Sequence, residues 1–314
     1  MAKAEVAIDV GYGFVKGVFE SSRVHFASAV IRAPDLSVGA ALGGMGGENV
    51  YEINGESYLV GEAALEAGAQ RSWATDAAGR RDYPLLVAAA LAKLRVPAGD
   101  IQLRVGVPLG HYSSGRAALR DALDGAVFRI TDHTAKNTYF RVAEVRVYPQ
   151  GVGAYAAAVA DQPDLRRKPV GVVDIGYRTT DYLIVRHTAD GRARPLRWGS
   201  ADVGWQSVAA FCRDAVASDK ALPINLEQIE RALESGEFWW RGRRVELPLS
   251  QAEQELAQRV ADAVQHAWRD EIDALAAVIV AGGAGARLAG LLPWPHVVVA
   301  PDPFYANARG YLLL

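Results

Sequence analysis

The chain has 314 residues and a formal net charge of −2, with half its residues hydrophobic and 22% charged. That balance fits a folded protein of about two domains with a large core, and it excludes the overall positive charge of a nucleic-acid binder. The single cysteine, Cys212, excludes an intrachain disulfide and suits a reducing compartment. Met1 to Val10 runs straight into a strand pattern with no leader-like segment, and no apolar run reaches the ~20 residues a bilayer needs. The expectation is a soluble, cytoplasmic protein that touches no membrane.

Residues 5–10 are an apolar run ending in Asp9-Val10, followed by Gly11-Tyr12-Gly13 and a second strand pattern over 14–20. Two strands about a glycine turn predict a β-hairpin. A third strand is expected over 23–31, and the glycine-rich stretch 34–49 reads as a mobile loop. Asn54-Gly55 predicts another hairpin over 50–60. Next come a helix over 84–93, a strand over 102–107 stopped by Pro108, a helix over 114–123, strands over 127–130 and 139–147, and a small-residue helix over 151–160.

The pattern then starts again. Residues 170–175 form an apolar strand carrying Asp174, Gly176 opens a polar turn, and 181–186 is the returning strand. Ile8-Asp9-Val10-Gly11 and Val173-Asp174-Ile175-Gly176 are two copies of one device, 165 residues apart. Helices are expected over 226–233 and 251–275. A strand over 278–280 runs into Ala281-Gly282-Gly283-Ala284-Gly285, and a late strand over 297–299 precedes a closing helix over 305–314. Phe238-Trp239-Trp240, flanked by Arg241, Arg243 and Arg244, has the composition of a base-stacking patch. It reads better as a surface hairpin packing its aromatics, with a filament contact as a further option. The six histidines lack metal-ligand spacing, so no zinc site is expected.

Three segments carry chemistry. In Asp9-Val10-Gly11-Tyr12-Gly13-Phe14-Val15-Lys16, two glycines leave turn N–H groups able to face an anion. Asp9 can hold a hydrated Mg2+, and Lys16 can reach a phosphate as a point charge. A plain tight hairpin with a surface lysine fits the same residues. Asp174-Ile175-Gly176-Tyr177-Arg178-Thr179-Thr180-Asp181 repeats the device with hydroxyls, and two matched turns could grip a polyphosphate. Residues 281–288 lead from a strand through small residues into a helix, where a ligand can approach the backbone closely. They do not follow the dinucleotide-binding pattern.

Together these segments resemble the actin, sugar-kinase and heat-shock-chaperone ATPase superfamily, over nearly the whole chain. Within it the sequence looks most like the ParM-type plasmid-segregation actins and related bacterial and archaeal actin-like proteins. Val105-Gly106-Val107-Pro108 and Ala306-Asn307-Ala308-Arg309-Gly310-Tyr311 are similar to segments of that group. The resemblance implies an α/β actin-like ATPase fold of two duplicated lobes, each a mixed sheet flanked by helices, with ATP (or GTP) and Mg2+ in the cleft. The first lobe is expected to span 1–150 plus 301–314, and the second 151–300.

The resemblance also implies roles. Asp9 and Asp174 would flank the Mg2+ through water. Gly11, Tyr12, Gly13 and Lys16 would bind the β- and γ-phosphates, and Gly176 and Thr179 would contact phosphate from the other lobe. Gly204 falls where the family has a loop near the sugar, and Gly282, Gly283 and Ala284 would border the adenosine. Gln150 lies at the expected hinge, where ParM has a glutamate and actin a glutamine. It would orient the attacking water while Mg2+ and Lys16 stabilise charge, whereas capping the following helix is its plainer role. Tyr177-Arg178 stands where many relatives have Gly-Thr.

The implied function is an NTPase that forms nucleotide-dependent filaments of its own copies. Such filaments would segregate plasmid DNA through a DNA-binding adaptor rather than by direct contact. The alternatives on this scaffold are a small-molecule kinase and a regulatory ATPase.

Overall fold

The computed structural model describes residues 3–33, 49–71, 80–188, 190–220 and 224–314. Apart from Asn49, the glycine-rich stretch expected as a mobile loop lies outside them. The chain forms two compact units, Met1–Pro163 with Ala300–Leu314, and Asp164–Val299.

In the first unit, β1 (Ala4–Val10) pairs antiparallel with β2 (Phe14–Phe19), and β2 with β3 (Ser22–Ala27). On its other side β1 lies parallel to β7 (Gly99–Val107), which lies parallel to β9 (Asn137–Pro149). The sheet continues through β8 (Val127–Thr131), β5 (Val50–Ile53), β6 (Glu56–Val60) and β4 (Val30–Arg32), nine strands in the order β3-β2-β1-β7-β9-β8-β5-β6-β4. The single strand expected over 23–31 is thus two strands on opposite edges. Between them Ser28 N–H donates to Gly13 O at 2.9 Å, so the chain turns a corner beside the first glycine turn.

A short helix, α1 (Glu62–Glu66), follows β6. β1 is apolar on both faces because both are covered. Val6, Ile8 and Val10 join a core with Leu86, Val87 and Ala90 of α2 (Tyr83–Lys93), whereas Ala7 packs with Ala308 and Tyr311 of the C-terminal helix, Ala306–Tyr311. Helix α3 (Tyr112–Leu123) contributes Leu119 and Leu123 to the larger core.

Helix α4 (Val152–Asp161) packs on the C-terminal helix. A Cβ on Gly310 would stand 1.7 Å from Gly153 O, so neither glycine leaves room for a side chain at the crossing. The unit boundary therefore follows Pro163 rather than residue 150, because this close contact keeps 152–161 with the first unit.

The second unit repeats the plan. β10 (Val170–Ile175) pairs antiparallel with β11 (Thr180–His187), β11 with β12 (Ala193–Ala201), and β10 lies parallel to β15 (Ala277–Ala281). β16 (Val297–Val299) completes five strands in the order β12-β11-β10-β15-β16. Strand β12 was not anticipated. Its residues Ala193–Gly199 are almost all exposed, and its Arg194-Pro195 carries no apolar alternation to mark it.

Helices α5 (Gln206–Lys220), α6 (Leu226–Ser235) and α7 (Leu249–Trp268) add Val208, Ile229, Leu256 and Val260 to the core. A capping box between Asn225 and Gln228 starts α6, and left-handed Gly236 ends it. The helix expected over 251–275 stops at Arg269, whose φ of 51° breaks the repeat. The aromatic cluster is a hairpin of β13 (Trp239–Trp240) and β14 (Arg243–Arg244). Phe238 is buried in the core and Trp239 is 59% exposed. A one-turn helix, α8 (Gly285–Leu288), follows β15, and the C-terminal helix is α9.

Candidate functional site

The two hairpins have the same register. In the first, Asp9 lies opposite Lys16 and Val10 opposite Val15, and in the second, Asp174 lies opposite Asp181 and Ile175 opposite Thr180. Each turn is closed by one bond, Gly11 N–H to Phe14 O at 3.1 Å and Gly176 N–H to Thr179 O at 2.9 Å. Tyr12 and Tyr177 are therefore equivalent, as are Gly13 and Arg178. The residue that replaces a small one in the second turn is Arg178, since a tyrosine occupies the preceding position in both.

In the first hairpin Asp9 is buried and has two partners. Lys16 Nζ lies 3.1 Å from its Oδ2, and Gln150 Nε2 donates to its Oδ1 at 2.7 Å. Lys16 is only 12% exposed, so it is not the surface lysine of a plain hairpin. Strand β9 ends at Pro149, beside the end of β7, and Gln150 N–H donates to Val107 O at 2.8 Å, which aims the side chain at Asp9. Gln150 does not cap the following helix. Asn307 Oδ1 does, accepting from Gly151 N–H at 2.9 Å and Ala154 N–H at 3.1 Å. The structure thus brings Asp9, Gly11, Tyr12, Gly13, Lys16 and Gln150 together in one unit.

In the second unit, Gly282 sits against the end of β10 with φ of 87°. A Cβ there would lie 2.5 Å from Asp174 Oδ1 and 2.3 Å from Ile175 O. Ala284 N–H donates to Ile175 O at 3.2 Å, which ties the small-residue turn to the hairpin. Gly204 lies as close, since its Cβ would come within 2.6 Å of Tyr177 O and of the Arg178 carbonyl carbon. Beyond it, Trp205 N–H donates to Gly176 O at 3.0 Å and Gln206 N–H to Tyr177 O at 2.8 Å. Thr179 is buried, and the Tyr177 hydroxyl donates to Glu230 of α6. Asp174, Gly176, Thr179, Gly204, Gly282 and Ala284 thus converge on one turn, with Gly283 exposed at its edge.

Comparison with known proteins decides the family. Residues 7–153 match the model described as actin like proteins N terminal domain, and residues 172–291 match the archaeal actin homologue MreB-like C-terminal model. The chain is an actin-like protein.

Similar curated sequences are the archaeal actin homologs of Thermoplasma acidophilum and Thermoplasma volcanium, each 26% identical over 98% of this chain and 97% of theirs. Among solved structures, a non-polymerisable quadruple mutant of pCBH ParM superposes with a TM-score of 0.83 at 25% identity, covering 99% of this chain and 98% of that one. A 15-stranded ParM filament from Clostridium botulinum gives a TM-score of 0.84 at 24% identity, with coverage of 99% and 98%. An archaeal actin homolog in complex with ADP gives 0.78 at 23% identity, with coverage of 98% and 97%.

Two residues of this actin-like chain escaped the sequence reading. Arg80, 4% exposed, donates from Nη1 to Gly11 O at 3.1 Å and to Val10 O at 3.4 Å. Ser28 Oγ donates to Gly11 O at 2.7 Å. Neither lies in a glycine motif, and both reach the turn from far along the chain. Beside them Tyr83 is fully buried, and its hydroxyl donates to Gly106 O at 3.1 Å. Burial, then the nearby Asp9 carboxylate, pushes that phenol far above its ordinary value.

Proposed function

We propose that this actin-like chain binds ATP or GTP with Mg2+, hydrolyses it, and couples the cycle to assembly of filaments of its own copies. The observation that carries this is the duplicated hairpin, with one register, one turn-closing bond and a buried carboxylate built twice. In this proposal Gly11, Tyr12, Gly13 and Lys16 take the β- and γ-phosphates, and Gly176 and Thr179 contact phosphate from the second turn. Gly204 lies by the sugar, Gly282, Gly283 and Ala284 border the base and ribose, and Gln150 orients the attacking water.

The donor set fits Mg2+. Asp9 and Asp174 offer hard carboxylate oxygens, and glycine at position 282 keeps a methyl group from crowding Asp174 Oδ1. Bound there, the ion would neutralise phosphate charge. The residues act around it. Lys16 holds Asp9 in place and offers a positive charge, and Gln150 keeps Asp9 Oδ1 oriented through its amide N–H.

Relatives support nucleotide binding and filament assembly, with one solved as an ADP complex and another as a filament. We propose further that the filaments move plasmid DNA in the cytoplasm through a DNA-binding adaptor. It is supported by the ParM likeness and by a net charge of −2, which gives the chain no general attraction for DNA.

Right-angle light scattering on the purified chain with Mg2+, adding ATP, GTP or ADP in turn, tests the proposal. The expected result is a rise with a triphosphate that decays as phosphate appears. Slow hydrolysis with no rise over a wide concentration range would leave a kinase or regulatory ATPase in its place.

A further inference from the structure

We infer that Arg80, assisted by Ser28, is the positioning residue that turns the amides of the first hairpin toward phosphate; this rests on the nucleotide proposal above. In a trans peptide the C=O and the N–H that follows it point in opposite directions, and no described bond is cis. The Gly11 carbonyl is held from two sides, by Ser28 Oγ at 2.7 Å and Arg80 Nη1 at 3.1 Å. The Gly13 carbonyl accepts from Ser28 N–H at 2.9 Å. With both carbonyls drawn into the unit, the N–H groups of Tyr12 and Phe14 are turned the other way. Turn amides aimed to one side offer donors to an anion.

The Arg80 side chain is itself fixed. Its Nη2 and Nε lie 3.3 and 3.5 Å from the two Asp82 carboxylate oxygens, and its guanidinium lies 5.8 Å from the Tyr12 ring centre and 5.9 Å from that of Tyr83. A buried guanidinium is costly unless well paired. These two contacts to Asp82 are long, and that carboxylate is 20% exposed. An anion seated on the outer side of the turn would add the compensating charge.

The second hairpin meets the same need without a charge. Gly176 O and Tyr177 O are held by the backbone N–H groups of Trp205 and Gln206. Restraint of the turn carbonyls is therefore common to both copies, with side chains among the donors in the first and the backbone N–H groups of Trp205 and Gln206 in the second.

Isothermal titration of ADP with Mg2+, and of adenosine, into the full chain and its Ser28→Ala, Arg80→Lys and Arg80→Met variants tests the inference, with thermal melts to check folding. Wild type should bind ADP more tightly than adenosine. Ser28→Ala should lose about 3- to 10-fold in ADP affinity, the size of one neutral hydrogen bond, and Arg80→Met about 10- to 100-fold, the size of a charged one. Adenosine affinity should stay within about 2-fold, and Arg80→Lys should recover part of the loss, because the effect acts through charge at the turn.

Equal losses for both ligands would reduce Arg80 to a structural role and overturn the inference, as would unchanged ADP affinity in folded Ser28→Ala and Arg80→Lys. If Arg80→Met fails to fold, the other two variants decide. Wild type that binds neither ligand would instead remove the nucleotide proposal, and this inference with it.

Discussion

Gln150 reaches 141 residues back along the chain to donate its side-chain amide to Asp9 at 2.7 Å. The bond leaves Gln150 Oε1 outside the contact, so the amide can hold Asp9 through one end and a water through the other. Gln150→Ala is expected to slow phosphate release by about 100-fold, the cost of one well-placed hydrogen bond, while nucleotide affinity stays within about 3-fold. Single-turnover phosphate release alongside equilibrium binding checks this, and equal loss of both would sink the assignment.

Lys16 and Asp9 form an ion pair with side chains 12% and 2% exposed. Lys16→Met leaves a buried carboxylate with the Gln150 amide as its side-chain partner among the described residues. Removing one member of a buried pair costs about 3–5 kcal/mol, and the remaining amide should bring the loss to about 2–4. Urea unfolding measures it. Lys16→Met with Asp9→Asn should recover part of the loss, because no uncompensated charge then remains.

The α4–α9 crossing has no room for a methyl group at Gly310, whose Cβ would lie 1.7 Å from Gly153 O. Gly310→Ala is expected to destabilise the first unit by about 3 kcal/mol or more, as severe overpacking does. Thermal melts report the loss. Gly236→Ala is the contrasting control, since a Cβ there meets nothing within 4 Å and only its φ of 77° strains the backbone, at about 1–2 kcal/mol.

Cys212 is fully buried, and burial, then the charge of Glu253, pushes its thiol up to about 11. An unfolded thiol titrates near about 8.5. A raised folded value means that the folded chain holds its proton more tightly. The stability this group adds is complete below about pH 8.5 and is lost as pH rises toward about 11. Cys212→Ser should flatten that part of the stability–pH curve. At pH 8, iodoacetamide should label Cys212 in urea but not in buffer.

The hairpins were legible because their residues are contiguous. Asp9 with Gly11 and Asp174 with Gly176 sit two apart, and a duplicated local signal stands out from one sequence. Gln150 was found through the stretch around it. Arg80 and Ser28 were not, since their acceptors are backbone carbonyls that any residue could provide, and nothing in either residue's own neighbourhood marks the turn. The corner at Ser28 was hidden for a related reason. Val24, Phe26 and Val30 keep a strand-like alternation across it, while the Ser28 N–H turns to a tertiary partner, the Gly13 carbonyl. Strand β12 failed through exposure, because a strand that buries little has little periodicity to read.

Gly282 bears on how a mutational survey of this chain would be interpreted. Every side chain introduced there meets Asp174 Oδ1 and Ile175 O before it meets any ligand. Such a survey would score the position as intolerant and invite its classification as a contact for the bound molecule. The intolerance would be steric in origin. Its first symptom would be a displaced carboxylate, so under the proposed nucleotide-binding roles changes in metal preference should precede changes in base preference.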